Sequence, residues 1–318
     1  MTTTKIGISL IVLSLMCSCA YENKDYISFV DPLIGTGGHG HVFVGASVPH
    51  GMIQLGPNND ATGWDWCSGY HDSDSTILGF AHSHLSGTGI ADLGDVLFMP
   101  AVGITMAVDS LPNLEYVSTF TKGKQTVRPG YYAVTLDRNG VHAELTANDR
   151  VAFHRYTFPQ GKEAMLVIDL VNGVKSIPSR LGVTEASISI TDDNLVSGFR
   201  ASDEWAVNHK VWFSAVFSEP VRDFKIFEEG NGKKAILNFG RLDKSLEVTS
   251  AISYTDAGGA SVNLKEEGIG RDFDIVAEEA VRRWNDALSV IDFEAPGDAK
   301  RIFYTALYHT MISPSLFS

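Results

Sequence analysis

Residues able to do chemistry crowd into one stretch of this chain. Six of the ten histidines and two of the five tryptophans fall between Gly35 and Gly89. At the centre stands Gly63-Trp64-Asp65-Trp66-Cys67-Ser68-Gly69-Tyr70-His71. It is flanked by Gly35-Thr36-Gly37-Gly38-His39-Gly40-His41 and by His82-Ser83-His84-Leu85-Ser86-Gly87-Thr88-Gly89. Core strands are dominated by Val, Ile, Leu and Phe, whereas closely spaced Gly, His, Trp and Asp suit loops that carry polar groups and flat rings to a ligand. A sugar fits such a surface best. Its C–H faces stack on indole rings, and its hydroxyls pair with short directional partners such as Asp, His and backbone groups next to glycine.

The same residues admit rival readings. Residues i and i+2 of a strand share a face, so Trp64 and Trp66 could both fill a core. His82 and His84 have that spacing too, and are expected more as hydrogen-bonded support for the Gly87-Thr88-Gly89 turn than as ligand contacts. His39-Gly40-His41 and His82-Ser83-His84, with Asp92 and Asp95 nearby, could assemble a transition-metal site, although His-x-His is a common pattern. Cys67 could be a nucleophile beside histidine, but a small side chain packed under a binding loop is the simpler expectation. Among the acids, Asp149, Asp169, Asp203 and Glu204 show no spacing that marks an acid and base pair. Asp203-Glu204-Trp205 is the most suggestive, and reads as a solvated loop beside a core tryptophan.

Positioning these groups falls to a large scaffold. The chain has 318 residues, 44% of them hydrophobic, which suffices for a sizeable core. A formal charge of −13 argues against nucleic acid as a partner, because nothing here would neutralise a run of phosphates. At the start, Lys5 precedes the apolar residues 6–16, the layout of a secretory signal and too short to span a bilayer. Leu15-Met16-Cys17-Ser18-Cys19 resembles a bacterial lipoprotein signal over residues 1–19, with Cys19 as the lipidated residue; ordinary secretion is the alternative. Export to the bacterial cell envelope, with the lipid anchor as the only membrane link, is therefore expected. After cleavage Cys67 is the remaining thiol, so no internal disulfide can form.

Residues 26–270 read as a mainly β, large antiparallel sandwich. Tyr132, Val134 and Leu136 alternate with smaller or polar neighbours, Asp137-Arg138-Asn139-Gly140 supplies a turn, and Val141, Ala143 and Leu145 resume the alternation. Further strands are expected over 151–158, 164–170, 186–191, 195–200, 210–217, 234–239 and 246–254, with a turn at Asp192-Asp193-Asn194. The connections are too short for crossover helices. The period then changes. Ala277, Val281, Trp284, Leu288 and Ile291 predict an amphipathic helix from about Asp272, within a linker at 271–295. Residues 296–318 hold a second helix, with Asp298 as cap and Ala299, Ile302, Phe303, Ala306, Leu307, Thr310 and Met311 on one face. The apolar ending suggests that this helix begins a further helical domain truncated here, leaving that face uncovered.

Phe29-Val30-Asp31-Pro32-Leu33-Ile34-Gly35-Thr36, Val48-Pro49-His50-Gly51-Met52-Ile53-Gln54-Leu55-Gly56-Pro57, the stretch around Trp64, Gly79-Phe80-Ala81-His82-Ser83-His84-Leu85-Ser86-Gly87-Thr88-Gly89 and Phe303-Tyr304-Thr305-Ala306-Leu307-Tyr308-His309-Thr310 together resemble glycoside hydrolase family 92. That family comprises calcium-dependent, exo-acting α-mannosidases. The resemblance runs from about Tyr26 to the last residue. It implies a β-sandwich packed on a catalytic (α/α)6 barrel, with the site in the cleft between them. It also implies inverting hydrolysis, in which an acid and a base stand roughly 6.5–9.5 Å apart. Both carboxylates and most calcium ligands are then expected in the helical domain, beyond its first helix. What carries over to this chain is one wall of the sugar pocket, with Trp64, Asp65, Trp66, Cys67, His82 and His84 as substrate-binding residues. The expected substrates are mannose-containing glycans of α-1,2 type; a non-catalytic, glycan-binding surface lipoprotein is the alternative.

Overall fold

The alternation around Asn139-Gly140 becomes a hairpin, and antiparallel pairing extends from it in both directions. A computed structural model describes residues 24–174, 182–191 and 194–318 of the chain. In chain order its strands are β1 (Gly56–Asn58), β2 (Thr76–Ile77), β3 (Gly79–Ala81), β4 (Leu97–Ala101), β5 (Ser118–Arg128), β6 (Tyr131–Leu136), β7 (His142–Ala147) and β8 (Val151–Thr157). They continue as β9 (Glu163–Asp169), β10 (Val183–Ile190), β11 (Val196–Ser202), β12 (His209–Phe217), β13 (Asp223–Glu229), β14 (Gly232–Arg241) and β15 (Leu246–Ser253). One sheet has six strands in the order β1-β3-β4-β9-β14-β13; the other has nine, in the order β10-β11-β12-β15-β8-β7-β6-β5-β2. The architecture is the antiparallel sandwich that the alternation predicts. The signal segment 1–19 with Cys19, and Asp192-Asp193 of the expected turn, lie outside the described residues.

A single large cluster of buried side chains joins the two sheets, with Phe80, Phe98, Val134, Leu145, Tyr156, Val167, Phe213 and Leu237 among its members. The nine-stranded sheet is also covered on its outer face. There Phe273 and Val276 pack with Val151, Phe153, Ala251 and Leu264 in a second cluster. Phe273 and Val276 belong to α2 (Phe273–Leu288), which follows the short α1 (Ala257–Asn263). This second covering explains why the hairpin's alternation is blunted at Ala133, which is buried although it faces away from Val134. Gly130 lies in the β5–β6 turn at φ +81°, where a Cβ would stand 2.9 Å from the Ala280 methyl. The turn needs glycine both for its dihedral and for the approach of α2.

Helix α2 starts as the sequence predicts. Asp272 is its N-cap, its carboxylate accepting from the backbone N–H of Asp274 (2.9 Å) and Ile275 (3.1 Å). Arg155 clamps it by bonding Glu144 on β7 and Asp274 on α2. The C-terminal helix α3 (Ala299–Thr310) departs from expectation twice. Asp298 makes no side-chain cap, being itself in a helical conformation. The buried face is Tyr304, Thr305 and Tyr308, while Ile302 is 57% exposed and Ala306 and Thr310 are exposed as well. Aromatic rings with polar tips win because Tyr26, Phe29, Phe43 and Trp284 offer flat partners: Tyr304 lies 5.5 Å from Tyr26, and Tyr308 4.5 Å from Trp284.

Trp284 is the keystone of this third cluster. It is fully buried, and its indole N–H donates to Ser47 O at 2.6 Å. Trp284→Ala is expected to lower the unfolding free energy by about 3–5 kcal/mol in denaturant titration. Ile302→Ala should stay within about 0.5 kcal/mol of the parent, being a surface change.

Candidate functional site

Three loop segments converge at one edge of the sandwich. Trp64–Trp66 form a single 3-10 turn, not a strand. With three residues per turn, positions 64 and 66 cannot share a face, which removes the reading of two indoles buried side by side. Trp64 is 51% exposed, and Trp66 is half-buried. The Trp64 indole lies on Gly89, where a Cβ would come within 2.9 Å of the ring, and its N–H donates to Gly89 O at 2.7 Å. His41 meets the ring edge-on with centroids 4.3 Å apart, and His39 lies 5.2 Å away. His41 O in turn accepts from Gly87 N–H at 2.5 Å. The indole is therefore rigidly held while half of its surface stays open.

Asp65 sits beside it. Its carboxylate is 2.8 Å from His39 Nδ1, and this bond holds the carboxyl below its ordinary pKa. Such a group is a hydrogen-bond acceptor for hydroxyls and a poor proton donor. Trp66 is anchored by its N–H to Asp74 Oδ2 (3.2 Å) and by His71, 5.1 Å away. His71 Nε2 donates to Gly38 O (2.9 Å), so its Nδ1 accepts from Ser73. The three glycine-rich segments thus form one knitted surface carrying His39, Trp64 and Asp65 outward.

The structure places three other expected contact residues beneath that surface. Cys67 has no exposed area and packs with Ala91 and Val174; burial pushes its thiol pKa up, which disfavours a nucleophilic thiolate. His82 and His84 are also buried. His82 Nδ1 donates to Val96 O at 2.6 Å, and its Nε2 stands 3.4 Å from His154 Nε2. His154 accepts in turn from the Tyr156 hydroxyl at 2.7 Å. His84 Nδ1 donates to Gln54 O (2.8 Å), and its Nε2 faces the Asn58 amide at 2.6 Å. In this chain Cys67, His82 and His84 brace the loops from below, and present no atom to a sugar on the surface.

The metal alternative fails on the same geometry. His39 is engaged with Asp65, while His82 and His84 point into the core in different directions. Asp95 is committed elsewhere. It receives Arg200 Nη1 at 2.5 Å, His209 Nε2 at 3.1 Å and the Ser83 hydroxyl at 2.7 Å. Asp92 accepts from the backbone N–H of Leu93 (2.8 Å) and Ala206 (2.7 Å). Among the described residues, no group of three or more His, Cys, Asp or Glu side chains could hold a metal ion. Among the described residues no cluster of carboxylates is therefore assembled for a calcium ion.

Burial opposes the charge of Asp95, but Arg200, His209 and Ser83 override it and hold the carboxyl well below the usual range. Asp149 pairs with Arg283, and Asp169 accepts from Tyr116 and Asn172. A groove of about 710 Å³ lies between α2 and the outer sheet face, lined by Arg128, Tyr131, Glu144, Arg155, Asp274 and Asn285. None of its lining residues belongs to the 35–89 stretch. Sequence reasoning missed the clamp of Arg200 and His209 on Asp95, since the partners stand more than a hundred residues apart with no local signal.

The sandwich thus carries a rigid, half-open indole beside an ionised carboxylate. Residues 29–266 match the glycosyl hydrolase family 92 N-terminal domain, and residues 259–318 match the catalytic domain of the same family. The chain belongs to glycosyl hydrolase family 92. It is 29% identical to the family GH92 α-mannosidase BT3965 from Bacteroides thetaiotaomicron, solved in complex with mannoimidazole, with a TM-score of 0.83 over 93% of this chain and 41% of that one. The inverting mannosidase BT2199 from the same species is 25% identical, with a TM-score of 0.79 over 92% of this chain and 40% of that one. A protein of Arthroderma benhamiae described as an uncharacterized secreted glycosidase is 28% identical, over 96% of this chain and 44% of its own length. The chain thus spans less than half the length of the relatives it matches.

The buried histidines predict an acid-sensitive fold. Burial brings His82 and His84 down to about 4 from an ordinary 6.5, and lowers His154 well below that ordinary value too. The unfolded chain takes up these protons first. The stability tied to neutral histidines is complete above about pH 6.5 and lost as pH falls toward 4. Denaturant titrations at pH 7, 5.5 and 4.5 should show a fall of several kcal/mol, roughly 3 kcal/mol per histidine at the limit. Constant stability across that window would contradict the neutral, buried assignment.

Proposed function

We propose that this chain supplies the β-sandwich wall of the saccharide site of an inverting α-mannosidase. The observation that carries it is Trp64, whose ring is fixed by Gly89 and His41 with half its surface open beside Asp65. A pyranose stacked on that ring would bring its hydroxyls to Asp65 and His39, and Trp66 would extend the apolar wall. Mannose is favoured because BT3965 and BT2199 are described as mannosidases. The family resemblance supports α-1,2-linked glycans as substrates.

Hydrolysis with inversion needs an acid with a raised pKa and a base on the opposite face of the sugar ring. The acids described above are ionised or committed to the fold, so both roles are assigned to the part of the relatives that this chain does not span. Calcium is assigned there too. The share of this chain in catalysis is to bind and orient the sugar and to exclude water from one side. Export through residues 1–19, with lipid attachment at Cys19 and residence in the bacterial cell envelope, completes the proposal. The secreted description of the Arthroderma relative supports export.

Two outcomes are expected. The 318-residue chain alone should release no mannose from α-mannosides, with or without calcium; calcium-dependent turnover by it would place the acid and base among residues 24–318. In an active protein that contains this chain, Trp64→Ala should lower kcat/KM by about 1–3 kcal/mol of transition-state binding with little change in Tm. Unchanged kinetics together with a large fall in Tm would reject the assignment.

A further inference from the structure

We propose that Trp205 is a second aromatic platform, taking a sugar residue of the same glycan beyond the one on Trp64. This rests on the saccharide reading of the Trp64 surface and extends it from a monosaccharide to an oligosaccharide site. Sequence reasoning placed Trp205 in the core, beside a solvated loop. The structure does the reverse: Trp205 is 65% exposed at the tip of the β11–β12 connection, with Asp203, Val207 and Asn208 exposed around it. Among the described residues its indole N–H has no protein partner, and no other ring stacks on it.

An isolated exposed indole means little by itself, since single apolar residues on a surface are common. This one stands on a loop built to hold still. Asp203 Oδ1 accepts from Asn208 N–H at 2.6 Å, closing the loop, and Asn208 turns the chain at φ +57°. The buried Asp92 accepts from Ala206 N–H at 2.7 Å, directly after the tryptophan. At the foot of the loop, His209 is bonded to Asp95. Burial pulls the His209 pKa down, but Asp95 overrides it and raises the value above the ordinary one.

Asp92 also links the two platforms. Trp64 donates to Gly89 O, and Asp92 follows three residues later. Three residues of chain span at most about 11 Å. The Trp64 ring and the loop that carries Trp205 are therefore both fastened to one short strip, 89–92. Exposed Asp203 and Asn208 supply an acceptor and an amide beside the Trp205 ring, the polar complement that sugar hydroxyls need.

Calorimetric titration of the 318-residue chain with methyl α-mannoside and with an α-linked mannotriose tests this. Trp205→Ala should weaken the trisaccharide by about three- to tenfold and leave the monosaccharide unchanged, with Trp205→Phe retaining most of the affinity. Trp64→Ala should weaken both. Trisaccharide affinity unchanged in Trp205→Ala, while Trp64→Ala loses it, would overturn the second platform alone and assign the indole to a protein contact. Binding of neither sugar by the parent chain would overturn this proposal together with the reading of Trp64. Trp205 is exposed, so the melting temperature of its variants should match the parent and verify that they fold.

Discussion

The loop-bearing edge of the sandwich rests on a buried charge pair. Asp95 and Arg200 are both nearly free of solvent contact and bonded at 2.5 Å. Through it, the histidine-rich segment after β3 is tied to β11, and through His209 to β12. Removing water from two charges is costly, and a pair like this is often no more stabilising than apolar residues of the same volume. Its effect is directional. Either charge left alone in the core would cost about 3–5 kcal/mol, so alternative packings of these loops are strongly disfavoured. Ser83 completes the arrangement by donating to Asp95 through its hydroxyl and accepting the Asp95 N–H at 3.0 Å.

Above this pair the loops differ in kind from the sheets beneath. The sheets are held by backbone pairing and a continuous apolar core. The loops are held by side chains bonding to backbone groups: Trp64 to Gly89, His71 to Gly38, His84 to Gln54. Such bonds fix an irregular chain without regular secondary structure, which leaves rings and carboxylates free to face outward. The chain's relatives are more than twice its length, and residues 259–318 already match the catalytic domain of the family. The Trp64 surface is preformed on the sandwich part of this chain.

Much of the scaffold was legible from the sequence, for a physical reason. The hairpin at Asn139-Gly140 and the strands from 151 onward carry period-two alternation and turn residues, and α2 carries both an apolar stripe and its Asp272 cap. Two longer strands escaped. β5 buries only Ser118 and Phe120 at its start, and β13 only Phe227 between exposed Asp223, Phe224, Glu228 and Glu229, so neither shows a sustained buried side. On helix α3 the expected Phe303, Leu307 and Met311 do pack against the cluster, but the centre of the buried face shifts to Tyr304 and Tyr308, because hydropathy ranks Ile302 above Tyr304 although the available partners were rings. Residue types pointed to the loops that carry the exposed indole and its neighbouring carboxylate. They could not tell outward from inward: Trp64 and His39 reach solvent while His82, His84 and Cys67 do not, and that difference is set by a 3-10 turn and by partners distant in the chain.

The central claim is that the Trp64 surface holds a sugar ring, and a crystal structure of the chain soaked with mannose tests it most directly. The account predicts a pyranose stacked on the Trp64 indole, with hydroxyls bonded to Asp65 and His39. A sugar seated instead in the groove beside α2, with the Trp64 surface carrying water only, would contradict it.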